Sequence, residues 1–349
     1  MIAGEILPEC EVCNDKLLNT DVYRSYFAGL FGHMYEDIIN KTNADGATTM
    51  EVISWDYRYS NICNFKCRMC GDMLSSAWES EAVNNQMVNM QDPQNNWLKP
   101  KNRQLIKEFV SDTVVPEFMQ AVEAKSIREI YWVGGEPLLL PENERLLEVI
   151  PQEAIVTLIT NMSVDLEKNK IFRKLSQRQQ VGWSMSFDNV GKRFEYVRHG
   201  GDWELLKHNL AAVKELMTNQ GHWGGIHAVY NIYSATRICE LRQFAEETKT
   251  TVLWQNLFQP DYLDPFRHGP DVAAVAAKEI EEFYSTGQAT EAERQFFDQA
   301  LASYKTIKNP QLLITQQFAK HIHEIETQHH KDKQGQFAQL WPELNHLCK

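Results

Sequence analysis

The sequence predicts a partial (β/α)6 barrel of the TIM type, with a loop-and-helix segment before it and a helical extension after it. Three observations carry this expectation. Short apolar runs alternate with longer amphipathic stretches from about residue 51 to residue 257. The short runs are rich in Val, Ile and aromatic residues, as strands covered on both faces are. The chain has 349 residues, 43% of them hydrophobic, enough to bury a barrel core with appendages. Roughly six β-α units in series imply a parallel sheet with right-handed crossovers.

Taken in order, "VISWDYRY" (52–59) reads as the first strand, followed by a cysteine-bearing loop and a helix near "SSAWESEA" (75–82). A polar insertion over 84–103 precedes a helical stretch from about Leu105 to Ala124. Strand "EIYWV" (129–133) pairs in sequence with helix "ENERLLEVI" (142–150), and "AIVTLIT" (154–160) with "DLEKNKIFRKLS" (165–176). Then come "VGWSMSF" (181–187) with "WELLKHNLAAVKELM" (203–217), "IHAVYNIY" (226–233) with "ICELRQFAEET" (238–248), and "TVLWQNL" (251–257). The expected division is an N-terminal segment over 1–48, the barrel over 49–265 and a helical region over 266–349. In the last region "HHKDKQGQ" (329–336) reads as a solvated turn between helices.

The formal charge of −12 argues against a nucleic-acid or anionic-membrane surface, since both need a basic patch. No apolar run approaches the roughly 20 residues of a membrane span, and the N-terminus shows no basic-then-apolar secretory pattern. Seven unevenly clustered cysteines read as thiolates in a reducing compartment, so the expected location is cytoplasmic.

"SNICNFKCRMCGD" (60–72) sets Cys63, Cys67 and Cys70 directly after the first strand. Three thiolates on a [4Fe–4S] cluster leave one iron open, and an open coordination site is how a metal centre engages a substrate. A structural zinc knuckle and an incidental buried cysteine group are the other readings. Zinc of that kind wants a fourth Cys or His nearby, and the following turn has none.

This CxxxCxxC loop resembles that of the radical S-adenosylmethionine (radical SAM) superfamily. "YRYSNICNFKCRMC" is similar to members that carry SPASM or twitch auxiliary-cluster domains. The resemblance implies SAM bound to the open iron, reductive cleavage to a 5′-deoxyadenosyl radical, and an electron donor such as flavodoxin or ferredoxin. It hints at a peptide or protein substrate, with carbohydrate and small-molecule substrates open. The alternative is a non-catalytic iron–sulfur or zinc scaffold derived from the barrel.

Barrel sites sit at the C-terminal strand ends, and three of these carry candidate residues. "WVGGEP" offers Gly134 and Gly135, where missing side chains let a ligand approach the backbone, and Glu136, an acceptor suited to an ammonium group. In the resembled family this stretch binds the methionine amino group. "SMSFDN" places Ser186 and Asp188 two apart on one face of a strand, where both could hold ribose hydroxyls. Arg198 beyond it could grip a carboxylate in bidentate fashion; the family assigns it the methionine carboxylate. Asn161 at the third strand tip is a further polar contact or an N-cap. Met69 stands where the family often has an aromatic residue against adenine, and a thioether can pack on a ring.

Asn231, Tyr233, Trp254, Gln255 and Asn256 occupy the last two strand tips as substrate surface or packing, and Tyr196, His199 and Tyr233 are acid–base candidates. At the N-terminus, Cys10 and Cys13 in "LPECEVC" resemble part of a twitch segment and are the candidate ligands of a second iron–sulfur cluster. Cys239 reads as a helix-face core residue and Cys348 as part of a frayed terminus.

Overall fold

In the computed structural model, residues 22–58, 60–84, 93–257, 259–333 and 335–348 are described. Cys10 and Cys13 lie outside them. The described strands are β1 (Ser54–Tyr57), β2 (Lys66–Cys67), β3 (Glu129–Trp132), β4 (Ile155–Thr160), β5 (Val181–Ser186), β6 (Arg198–His199), β7 (Trp223–Tyr230) and β8 (Val252–Asn256). Six of them form one sheet in the order β1-β3-β4-β5-β7-β8, every pair parallel. The sheet is open, with β1 and β8 at its two edges, as a partial barrel requires. Its registers align Tyr57 with Trp132, Thr160 with Met185, Ser186 with His227, and Tyr230 with Asn256. The C-terminal strand ends therefore share one rim.

Ile130, Trp132, Val156, Leu158, Val181, Trp183, Met185, Ile226, Ala228 and Tyr230 are buried along these strands. Each large apolar side chain removed from water contributes roughly 1.5–3 kcal/mol. Around the sheet run α3 (Ser76–Asn84), α4 (Pro100–Phe109), α5 (Val115–Glu123), α6 (Pro141–Val149), α7 (Lys170–Leu175), α8 (Gly191–Val197), α9 (Trp203–Asn219) and α10 (Ile238–Glu247). Here α1 and α2 denote Val22–Phe31 and Tyr35–Asn40. Ile53–Lys349 forms one compact unit; Met1–Val52, which holds α1 and α2, forms another.

Local chemistry explains where the elements depart from the pattern. The helix expected over 105–124 is α4 and α5 joined by a π-helical turn, Val110–Val114, just ahead of Pro116, which has no N–H to give the ladder. The helix expected from Asp165 begins only at Lys170, because Asn169 caps it by accepting from Phe172 N at 2.9 Å. Strand β7 ends at Tyr230 rather than Tyr233. The Asn231 side chain accepts from Tyr233 N at 2.8 Å and turns the chain there.

The C-terminal helices α11 (Pro270–Ser285), α12 (Glu291–Thr306), α13 (Leu312–Glu324) and α14 (Gln336–Leu340) belong to the same compact unit as the barrel. With the tip residues Tyr196 and Tyr233, residues Phe318, Phe337 and Trp341 form a second buried cluster. Cys348, read as part of a frayed end, packs against this cluster, and burial pushes its thiol up to about 11.

Candidate active site

The chain leaves β1 and enters a loop that its own side chains brace. Ser75 Oγ donates to Phe65 O at 2.6 Å, Cys63 N donates to Ser76 Oγ at 3.1 Å, and Asn61 Nδ2 donates to Asp72 O at 2.9 Å. Strands β2 and β6 then form a two-residue antiparallel ribbon that pairs Cys67 with Arg198. This ribbon brings residues 131 positions apart in sequence to one place.

Cys67 is buried; Cys63 and Cys70 are half-buried. N–H donors face the sulfurs. Phe65 N and Asn161 Nδ2 each lie 3.5 Å from Cys63 Sγ, and Arg198 Nη1 lies 4.0 Å from Cys67 Sγ. Burial pushes the Cys63 thiol up to about 11 despite those donors. The hydrogen bond between Cys67 and Cys70, with burial added, raises the Cys67 thiol, while the same bond lowers Cys70 against its burial; the Arg198 charge lowers both. Three cysteine sulfurs, two of them facing N–H donors and one of those donors a cation, are a donor set that fits an iron–sulfur cluster, whose properties depend on hydrogen bonds to sulfur. Among the described residues no group of three or more His, Cys, Asp or Glu side chains is placed to hold a metal ion.

The GGEP stretch closes on this loop from the neighbouring strand. Gly135 has φ of +55°, and a Cβ there would sit 2.2 Å from Ile62 O, so the position demands glycine. Glu136 N donates to Ile62 O at 2.7 Å. The Glu136 carboxylate, expected to face a ligand, turns inward instead. It is fully buried and accepts from Leu138 N (3.0 Å), Thr160 Oγ1 (2.8 Å) and Asn161 N (2.6 Å), which knots the tips of β3 and β4 together. Burial raises its carboxyl to about 7 against the pull of these three donors.

Asp188 is likewise engaged by protein groups. Its oxygens accept from Arg198 Nε at 2.9 Å, Arg198 Nη2 at 3.0 Å and Val229 N at 2.7 Å. The fork of Arg198 is thus already filled by a protein carboxylate, leaving Nη1 toward Cys67. Burial lowers the Arg198 pKa, but Asp188 and the thiolates more than offset it, so the guanidinium stays charged.

Around the loop, Gly134, Gly135, Met69 and Ser186 are partly accessible, and Asn161 is brought to Cys63. Two residues not singled out from the sequence join them. Asn64 Oδ1 accepts from Ser163 Oγ at 2.8 Å and lies 3.4 Å from Asn161 Nδ2. His227, the register partner of Ser186, lies 2.8 Å from Gln255 through Nε2, and burial lowers its pKa. In β7 the buried phase is Ile226, Ala228 and Tyr230, and His227 falls on the other face.

Other candidates are packing groups. Tyr196 and Tyr233 are buried in the second core, Tyr196 donating to Glu326 at 3.0 Å. Asn231 forms its turn, and Trp254 packs on Tyr230 and Phe297. His199 stacks on His330 at 3.4 Å. His330, in the stretch read as a solvated turn, is fully buried.

An open parallel barrel with a three-cysteine loop at its first strand tip defines a class, and the comparisons agree. Residues 57–233 match the model of the radical SAM superfamily, half of the chain, and the protein belongs to that superfamily. No curated protein matches it. Among solved structures, the chain is similar to native anSMEcpe with bound AdoMet (15% identity, TM-score 0.43), covering 67% of this chain and 61% of that one. It is also similar to Streptococcus suis SuiB bound to the precursor peptide SuiA (14%, TM-score 0.42), covering 69% and 48% respectively. A third similar structure is TYW1 with a lysine–pyruvate adduct, at 14% identity and TM-score 0.35, covering 72% and 81%.

Proposed function

We propose that this chain is a radical SAM enzyme that holds a [4Fe–4S] cluster on Cys63, Cys67 and Cys70 and cleaves SAM reductively. The observation that carries the reading is the cysteine loop itself, with three thiols on one braced turn and N–H donors and the Arg198 cation at their sulfurs. The other described cysteines, Cys239 and Cys348, pack against hydrophobic cores. When bound, the cluster and SAM supply a 5′-deoxyadenosyl radical that abstracts hydrogen from substrate.

The chain's own residues bind and orient. The backbone of Gly134 and Gly135 meets the methionine amino group, Ser186 the ribose, and Met69 the adenine, with Asn161 a polar contact beside Cys63. Glu136, Asp188 and Arg198 act one layer behind. Glu136 fixes the strand tips, and the Asp188–Arg198 pair sets the charge beside Cys67.

The finer reading is a SPASM- or twitch-like member with a peptide or protein substrate and a flavodoxin- or ferredoxin-type donor. Cys10 and Cys13 are its candidate ligands for a second cluster, and the cytoplasm its location. Support for it comes from the motif context around the cysteines. The test is anaerobic reconstitution followed by EPR with and without SAM. A spectrum perturbed by SAM and release of 5′-deoxyadenosine are expected; about four irons per chain leaves Cys10 and Cys13 without a cluster, and a clearly higher count places a second one. Zinc in place of iron, or a spectrum indifferent to SAM, moves the protein to the non-catalytic scaffold.

A further inference from the structure

We infer that His330, in the C-terminal segment, is a positioning residue for the cysteine loop, acting through Arg68 on the turn that carries Cys67 and Cys70. The inference rests on the proposed function only for what the loop holds; the contacts stand without it.

Arg68 follows Cys67 directly and is 2% exposed. A buried guanidinium ordinarily finds a carboxylate. Arg68 is held by other groups. Its Nε donates to Tyr196 O at 3.0 Å, its guanidinium lies 4.1 Å from the Tyr196 ring centroid, and its Nη1 meets His330 Nδ1 at 3.0 Å. Its backbone N donates to Val197 O at 2.9 Å. Because a guanidinium can only donate, His330 Nδ1 must be the acceptor, which makes the imidazole neutral with its proton on Nε2. Burial and the Arg68 charge favour that neutral form.

The imidazole is itself fixed. It stacks on His199 at 3.4 Å with the planes 9° apart, and Trp78 lies 5.8 Å away. Trp78 Nε1 in turn donates to Cys67 O at 2.9 Å. The adjacent His329 bonds Glu81, whose other oxygen pairs with Lys66, the residue before Cys67. Three consecutive loop residues, Lys66, Cys67 and Arg68, are therefore each tied to a group that touches His329 or His330.

Stability alone does not explain this arrangement. Arg68 Nη2, His199 Nδ1 and His330 Nε2 are buried without a hydrogen-bond partner among the described residues, and such atoms cost free energy that apolar packing would avoid. What the contacts deliver is a fixed position for the Cys67–Cys70 turn.

The experiment is amide hydrogen exchange on the full chain, as purified anaerobically and again after iron removal, for wild type, His330→Ala and His330→Gln. Removing the acceptor opposite a buried cation should speed exchange at residues 66–70 about tenfold or more, with β4 and β5 unchanged. Gln, which keeps an acceptor, should stay near wild type. In the iron-loaded protein, His330→Ala should lose iron to a chelator faster and show a broadened EPR signal. Unchanged exchange at 66–70, or an equal rise throughout the sheet, overturns the inference. Where His330→Ala does not fold, Arg68→Lys carries the same test, since an ammonium cannot reach both Tyr196 O and the imidazole. A wild type without iron defeats the proposed function, while the exchange data still decide the role of His330.

Discussion

Replacing Asp188 by Ala should destabilise the protein by about 3–5 kcal/mol, the usual cost of stripping one partner from a buried ion pair. The structure sets the terms. Arg198 and Asp188 side chains are 8% and 0% exposed, so the abandoned guanidinium cannot turn to water. Val229 N loses its acceptor as well, and an orphaned buried N–H costs about 1–3 kcal/mol by itself. Removing both charges, as in Asp188→Leu with Arg198→Met, should recover most of the loss and leave chiefly the Val229 share. The two substitutions should therefore be strongly non-additive. Urea unfolding of the cluster-free protein, without SAM, reads all four members of the cycle. A residue that serves only to hold ribose would leave that protein's stability untouched. A cost below about 1 kcal/mol for Asp188→Ala, or additive effects, refutes the assignment of the pair to the interior.

Further outcomes follow from other positions. Cys63→Ala, Cys67→Ala or Cys70→Ala should each lose the cluster and all 5′-deoxyadenosine production, whereas Cys239→Ala and Cys348→Ala keep wild-type iron content. Gly135→Ala should cost at least about 1–2 kcal/mol from the left-handed backbone alone, before the overlap with Ile62 O is counted. Glu136→Gln places an amide N–H₂ against a backbone or hydroxyl donor and should cost about 1–3 kcal/mol in thermal or urea unfolding. Tyr233→Phe removes a buried hydroxyl that has no hydrogen-bond partner among the described residues, so stability should hold or rise while SAM cleavage is unchanged. Loss of cleavage would return Tyr233 to the catalytic candidates.

The barrel was legible because its signals are local. Apolar runs such as "AIVTLIT" and "VGWSMSF" give strands within a residue or two of β4 and β5. The cysteine spacing and the paired glycines are equally short-range. What stayed hidden depends on side-chain direction and on distant pairing. Ser-x-Asp suggests two residues on one strand face, but β5 ends at Ser186 and nothing local reveals that Asp188, beyond it, accepts from Arg198 and Val229. The β2–β6 ribbon is two residues long on each side, too short for a periodicity. "HHKDKQGQ" looks solvated because its residues are polar. Burial of His329 and His330 becomes intelligible only with Glu81 and Arg68 beside them, about 250 positions away in sequence.

Between Ile62 and Glu136 the chain travels more than seventy residues and returns to within one hydrogen bond of where it left. The excursion is tied off at its base by that bond and by the parallel pairing of β1 with β3. Within it α5 is anchored by Phe118, buried against Trp55 of β1, whereas α4 exposes Leu105, Ile106 and Phe109, so α4 is the portion that can be exchanged without disturbing the knot. Evolution could graft new recognition surface there, with the chemistry at the strand tips carried along intact.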